Sequence, residues 1–344
     1  MQRSRLGVKR PGLLRKVLSF VAYNLVAAGI LLFTMELAVR FFVRGMTASG
    51  TSKAIIADSL YYSTHGLKPS SSGVTNGAPV EVDRFGFRRN SIAADTSKPS
   101  WLLLGDSVTF GIGVAGDSTF AGILQSKMDS INVLNPSASG NNLNSYWDVF
   151  RCFVFDKRHN FTIYRVSVFW CLNDVYANVP DFEVPGGKLH SMFSDGLTFV
   201  RVQSRLYHFL KTLFFDRPRS YFLFDKSFYR SQQPGFLSAV ETIAGMNRLC
   251  RERNIAFEVV LLPYEYQLRE ADFAPQRLLR RMLREQKVRV LDPFEEVSGK
   301  NPQSKPYFLY GDGIHLSNRG HRSIADFLMK PPFKPGLPGL HSGL

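Results

Sequence analysis

Three features of this sequence predict an α/β fold with a mainly parallel five-stranded sheet, preceded by one N-terminal transmembrane helix. From Trp101 onward, short apolar runs alternate with longer helical ones, which is the rhythm of βα units. Four polar motifs, Gly105-Asp106-Ser107, Gly140-Asn141, Asn173-Asp174 and Asp312-Gly313-Ile314-His315, fall in loops beyond expected strands. The chain also opens on a basic head followed by a long apolar stretch.

That opening sets the topology. Arg3, Arg5, Lys9, Arg10, Arg15 and Lys16 precede an apolar run from Val17 to Met35, which resumes as Leu37-Ala38-Val39 after Glu36. A span needs about 20 apolar residues, which this run supplies if Asn24 is tolerated and Glu36 lies near the interface. A cleaved signal peptide is the rival reading. The run is long for one, and no Ala-x-Ala exit precedes Arg40-Phe41-Phe42, so a retained anchor is expected. The basic head keeps the N-terminus cytoplasmic, making this a single-pass protein of the inner membrane with its bulk on the periplasmic side. The expected organisation is a basic tail (1–16), an anchor (17–43), a Ser/Thr/Gly/Pro-rich stalk and loop region (44–100), the main domain (101–329) and a flexible tail (330–344). Within the stalk, residues 80–88 read as a short strand able to dock on the main domain.

Strands are expected at Trp101–Leu104, Ile131–Asn135, Tyr164–Leu172, Ala256–Leu262 and Val288–Leu291. Helices are expected at Ser118–Met128 with Asp117 or Ser118 as cap, Asn144–Phe155, Phe236–Arg253, Ala274–Glu285 and Ser317–Met329. An insertion over 176–233 falls outside the βα rhythm. Its segment from Arg205 to Phe215 is aromatic and basic at helical spacing, so it reads either as a helix packed on the sheet or as a lid facing the membrane. The packed helix is the expectation.

The motifs supply a reaction class. Ligands of open parallel sheets bind beyond the carboxyl ends of the strands, so distant loops converge there. A serine hydroxyl needs a base, and His315 is the candidate for Ser107. Asp312, three residues earlier, can hold the imidazole tautomer. The oxyanion of an acyl-transfer intermediate needs donors, for which the N–H groups of Ser107 and Gly140 and the side-chain amide of Asn173 are candidates. The expected site is therefore Ser107, His315 and Asp312, with an oxyanion hole from Ser107, Gly140 and Asn173.

These blocks resemble those of the SGNH (GDSL-type) hydrolase family, with Thr109-Phe110-Gly111 and the run from His315 to His321 as similar flanking text. The resemblance runs in blocks from Trp101 to Met329. It implies a flavodoxin-like three-layer α/β/α sandwich and metal-free hydrolysis or transfer of acyl esters. Two departures stand out. Val108-Thr109 follows Ser107 without the glycine of an α/β-hydrolase elbow, and Cys171-Leu172 precedes Asn173 where many relatives have glycines.

Competing readings of single residues are bland. Ser107 alone reads equally as a helix cap, Asp174 as a loop cap, Asp106 and Asp292 as loop-shaping residues, and His321 as a surface or packing histidine. Arg277, Arg280, Arg281 and Arg284 read as a solvated helix face. Cys152, Cys171 and Cys250 make no metal-binding spacing and leave one disulfide open, with Cys171 read as a core thiol. No metal and no cofactor is expected. The net charge of +15 raises nucleic acid as a partner, but the basic residues are dispersed and no recognition motif accompanies them, so no specific nucleic acid is expected. The expected function is a membrane-anchored serine esterase acting on O-acyl esters, acetyl in particular, of envelope glycans. An O-acyltransferase or lipid esterase is the alternative, and a catalytically silent anchored scaffold is the rival of another class.

Overall fold

A computed structural model describes residues 12–43, 50–175, 204–293 and 304–331. Arg3, Arg5, Lys9 and Arg10, the first part of the insertion (176–203) and the tail from 332 lie outside the described residues. The chain begins with helix α1 (Leu13–Phe42), continues through two hairpins, β1 (Ile56–Tyr61) with β2 (Thr64–Leu67) and β3 (Ser72–Thr75) with β4 (Ala78–Glu81), and enters β5 (Pro99–Leu104). Then come α2 (Ser107–Phe110), α3 (Phe120–Lys127), β6 (Asn132–Leu134), α4 (Leu143–Val154) and β7 (Thr162–Trp170). Helices α5 (Arg205–Phe214), α6 (Arg217–Lys226) and α7 (Pro234–Glu252) lead to β8 (Ala256–Leu261). Helices α8 (Glu265–Glu270) and α9 (Ala274–Glu285), strand β9 (Arg289–Leu291) and helix α10 (Asn318–Met329) complete the domain.

Strands β5 to β9 form one sheet in the order β6-β5-β7-β8-β9, and every neighbouring pair is parallel. The chain thus winds one way from β5 to β6 and the other way from β7 onward, which puts the switch point beside β5. Side chains alternate across the sheet with period two. Leu102 and Leu104 enter a core with residues of α4 and α7, while Trp101 and Leu103 enter a second core with residues of α3 and α10. Three layers result, as the resemblance implies. Each face excludes water, so truncating a buried leucine such as Leu103 to alanine costs about 2–5 kcal/mol.

Helix α1 is 30 residues long and apolar enough to cross a membrane, and nearly all its residues are exposed. Asn24 bonds back to the Phe20 carbonyl at 2.8 Å, which satisfies its amide within the helix.

Four expectations change. The helix after the nucleophile loop starts at Phe120, not Ser118, because residues 116–118 first make a 3₁₀ turn. Its cap is Thr119, whose hydroxyl accepts from the Gly122 N–H at 3.1 Å, while the Asp117 carboxylate accepts from Ser91 N–H instead. The described residues 50–100 of the expected stalk and loop region pack on the domain. Their hairpins bury Ile55, Tyr61, Leu67, Val80, Val82 and Phe87 against the domain, and their apolar alternation was hidden among Ser, Thr and Gly. Third, α5 packs on α1 rather than on the sheet: Val39 and Leu206 bury each other, with Val43 and Phe209 around them. Fourth, Arg280 leaves the solvated face of α9 to pair with Asp292 at 2.7 Å, whereas Arg277, Arg281 and Arg284 are exposed. All three cysteines are free, buried thiols.

One buried ion pair joins the central strands. Arg165 Nε donates to Glu258 Oε1 at 2.8 Å, and the Ser167 hydroxyl donates to the same oxygen at 2.7 Å while accepting from Trp101 Nε1. Both charged side chains are almost wholly buried, so each depends on the other.

Candidate active site

The nucleophile turn is built by close packing. Gly105 leaves β5 so near Thr109 that a Cβ there would lie 2.0 Å from the threonine hydroxyl, which excludes any side chain. Asp106 then caps α2, its Oδ1 accepting from the Val108 N–H at 2.8 Å. Ser107 opens that helix, so its own N–H belongs to the unbonded first turn and is free to face a substrate oxygen.

His315 arrives from the other end of the domain. The loop carrying it is closed by a bridge between Phe308 and Leu316 and by a bond from Glu265 N–H to the Gly313 carbonyl at 2.8 Å. Within it, Asp312 Oδ1 accepts from the N–H groups of Ile314 and His315 at 3.0 and 2.8 Å. The same oxygen is 2.9 Å from His315 Nδ1, and His315 Nε2 is 3.0 Å from Ser107 Oγ. With its proton on Nδ1 the ring donates to Asp312 and leaves Nε2 to accept the Ser107 hydroxyl proton.

Electrostatics follow the geometry. Burial works against charging His315, but the charge and hydrogen bond of Asp312, with a contribution from Asp106, raise its pKa above the usual histidine value. Burial likewise disfavours ionised Asp312, yet the charge and bonds of His315 hold it well below the usual carboxylate range. Both side chains remain slightly open, at 18% and 13% exposure, so a substrate can reach them.

Of the residues expected as oxyanion donors, Asn173 is brought next to Ser107. Asn173 lies in the 3₁₀ turn that ends β7, and its Nδ2 donates to Asp106 Oδ2 at 3.4 Å, the oxygen that also lies 3.2 Å from Ser107 Oγ. This turn is held by Asp174, whose carboxylate accepts from Cys171 N–H at 2.8 Å and Tyr146 O–H at 2.7 Å. Burial, then the nearby charge of Asp106, pushes the Asp174 pKa well up. The loop that carries Gly140 is tied to the nucleophile turn through its neighbours. Asn135, just after β6, donates to the Thr109 carbonyl at 2.9 Å, and Ala138 packs with Phe110 and Ile112. The backbone at Gly140 has φ +88°, which favours glycine, although an added Cβ would meet only His65 at 3.8 Å.

His321 has a different role. It is fully buried, its Nδ1 accepts from Phe120 N–H at 3.2 Å, and burial together with Arg88 pushes its pKa down to about 3. It is a neutral packing histidine.

Two residues that hold the site were not singled out from the sequence. Arg88 is buried behind α2 and donates to the carbonyls of Phe110, Gly111 and Val114, with burial lowering its pKa to about 9. His65 Nε2 lies 2.9 Å from the Ser139 carbonyl, one residue before Gly140. Both come from the region expected as a stalk. Their only sequence signal is a polar side chain within an apolar alternation.

No family model and no curated protein sequence matches the chain. Among solved structures it is similar to a member of the lipolytic protein G-D-S-L family from Veillonella parvula. That match has 12% identity and a TM-score of 0.40, and covers 69% of this chain and 100% of the other. It is also similar to TesA, at 16% identity over 67% of this chain and 98% of that one, TM-score 0.38. A lipase/acylhydrolase from Enterococcus faecalis follows at 12% identity over 67% and 93%, TM-score 0.37.

Proposed function

We propose that this chain is a serine ester hydrolase of the SGNH type, anchored in the cytoplasmic membrane by α1 with its catalytic domain on the outer side. The observation that carries this reading is the continuous relay from Asp312 through His315 to Ser107, at 2.9 and 3.0 Å. Ser107 Oγ attacks the ester carbonyl as its proton passes to His315 Nε2, and Asp312 stabilises the imidazolium. The oxyanion is received by the N–H groups of Ser107 and Gly140 and the Asn173 amide. His315 returns the proton to the leaving alcohol as the carbonyl re-forms, leaving an acyl-serine. Water then attacks that ester, giving its proton to His315, and collapse of the second intermediate frees the acid and restores Ser107–OH. A sugar hydroxyl in place of the water gives transfer by the same steps.

The substrate is an O-acyl ester of an envelope glycan, acetyl in particular. The basic surface and the membrane tether support a polyanionic neighbour at that location. A lipid ester is the second reading, favoured by the exposed Leu213, Phe214 and Phe215 close to the His315 loop. A chromogenic ester panel of increasing chain length, run with the full chain in detergent, tests both. Turnover that vanishes in Ser107→Ala is expected, with acetyl preferred for the glycan reading and long chains for the lipid reading. Absence of turnover on every ester by a well-folded sample leaves the silent-scaffold reading.

A further inference from the structure

Glu36 is a carboxylate near the outer end of the apolar helix α1, a costly place unless its oxygens are filled. They are filled by Arg40 one turn further on, whose Nε donates at 2.7 Å, and by another element. Glu36 accepts from Arg205 N–H at 3.0 Å, Leu206 N–H at 2.8 Å and the Ser204 hydroxyl at 2.9 Å. Ser204 in turn accepts from Tyr207 N–H through its side chain at 3.1 Å and from His208 N–H through its carbonyl at 3.4 Å. All four N–H groups that open α5 therefore have acceptors. A helix end in water does not need this, whereas one in lipid does.

The apolar surface tells the same story. Phe41 and Phe42, beyond Glu36, are 81% and 77% exposed, and Leu213, Phe214 and Phe215 at the far end of α5 are 61%, 76% and 66% exposed. If lipid reaches Phe42, counting back about 20 residues ends the hydrocarbon core near Tyr23, leaving Lys16 and Arg15 for the cytoplasmic headgroups. Glu36 and the first turn of α5 then lie about 9 Å inside that boundary. Because α5 follows the last turns of α1, through Leu206 beside Val39, its roughly 15 Å length carries it from that depth up to the headgroups. Lys211, Arg217 and Arg219 flank its upper end, as expected for an anionic surface.

We infer that α5 is a second membrane element, seated in the outer leaflet beside the anchor and locked to it by Glu36. The occupant of its open apolar face is lipid. The consequence reaches the active site, because the His315 loop rests on the α5–α6 turn: an added Cβ would lie 2.3 Å from Thr212 at Gly311 and 2.6 Å from Pro218 at Gly313. The lock thus fixes the height of Asp312 and His315 above the bilayer and directs the enzyme to esters at the membrane surface. This inference rests on the anchor reading above, not on the catalytic one.

The test uses the full chain in nanodiscs of phosphatidylcholine and phosphatidylglycerol. Because the native cysteines are buried, an environment-sensitive dye can be attached at Leu210→Cys or Phe214→Cys, with Ile30→Cys on the anchor and Ser238→Cys on α7 as references. Expected is blue-shifted emission at 210 and 214, quenched several-fold by spin-labelled lipid, as at 30 and unlike 238. Emission at 210 and 214 matching that at 238, while 30 is quenched, overturns the inference and leaves the anchor intact. A blue shift that lipid labels do not quench means that protein covers the face, which also overturns it. An unquenched dye at 30 overturns the anchor itself. In addition, Val39→Cys with Leu206→Cys is expected to cross-link, and adding Glu36→Ala to lower the yield. An unchanged yield overturns the lock.

Discussion

Asn173, proposed as an oxyanion donor, offers a way to separate transition-state stabilisation from binding. Its amide nitrogen bonds Asp106 beside Ser107 Oγ, where a developing oxyanion would come within its reach. Asn173→Ala is expected to lower kcat by about 10²–10³ with little change in KM, measured by steady-state ester hydrolysis. Asp312 has a signature of its own. His315 must be neutral to act as base, and its pKa lies above the ordinary value because of Asp312, so kcat/KM is expected to rise with pH through a midpoint above 6.5. Asp312→Asn removes that charge while burial of His315 remains, so the midpoint should move down even as kcat falls by about 10⁴. A pH–rate profile that keeps its midpoint in Asp312→Asn would contradict this assignment.

At the scale of elements, the site depends on loops held by buried charge. Arg88→Ala removes one buried donor shared by three carbonyls around α2, of which that of Gly111 keeps the Val114 N–H, and is expected to cost about 2–3 kcal/mol, read by urea denaturation. Glu258→Ala removes the buried carboxylate that Arg165 pairs with between β7 and β8 and is expected to cost about 3–5 kcal/mol by the same measurement. The five parallel strands and their flanking helices were legible in the sequence because apolar periodicity is strong in segments buried on both faces, as in β7. The residues the structure brings together as the candidate site, Ser107, His315 and Asp312, were legible for a related reason: polar residues just beyond strand ends stand out against apolar runs. Of the hairpins before β5, only the strand expected from residue 80 was legible, where β4 ends and Val82 bridges Arg88. Their residues alternate over only four to six positions between Gly, Ser and Pro, a pattern also found in loops. Arg88 and His65, which brace the nucleophile and Gly140 loops, were therefore hidden with them. The docking of α5 on α1 was equally hidden, since periodicity reveals that a helix has an apolar face but not which element it meets.

For the whole molecule, α1 is joined to the domain through α5. A chain beginning at Gly50 lacks Glu36 and Val39, which uncovers Leu206 and the N–H groups at the start of α5. It is expected to self-associate in size-exclusion chromatography at low detergent, and to melt below the full chain. A truncated chain that stays monomeric and melts at the same temperature would show that α1 contributes no fold stability.

The proposed chemistry requires Ser107 to be an activated nucleophile, and one covalent probe reads that directly. Incubation of the folded full chain with a fluorophosphonate, followed by peptide mass mapping, should yield one adduct on Ser107. That adduct should be absent from Ser107→Ala and strongly slowed in His315→Ala. A folded protein that gains no adduct, or gains it equally in both variants, would contradict the proposed chemistry.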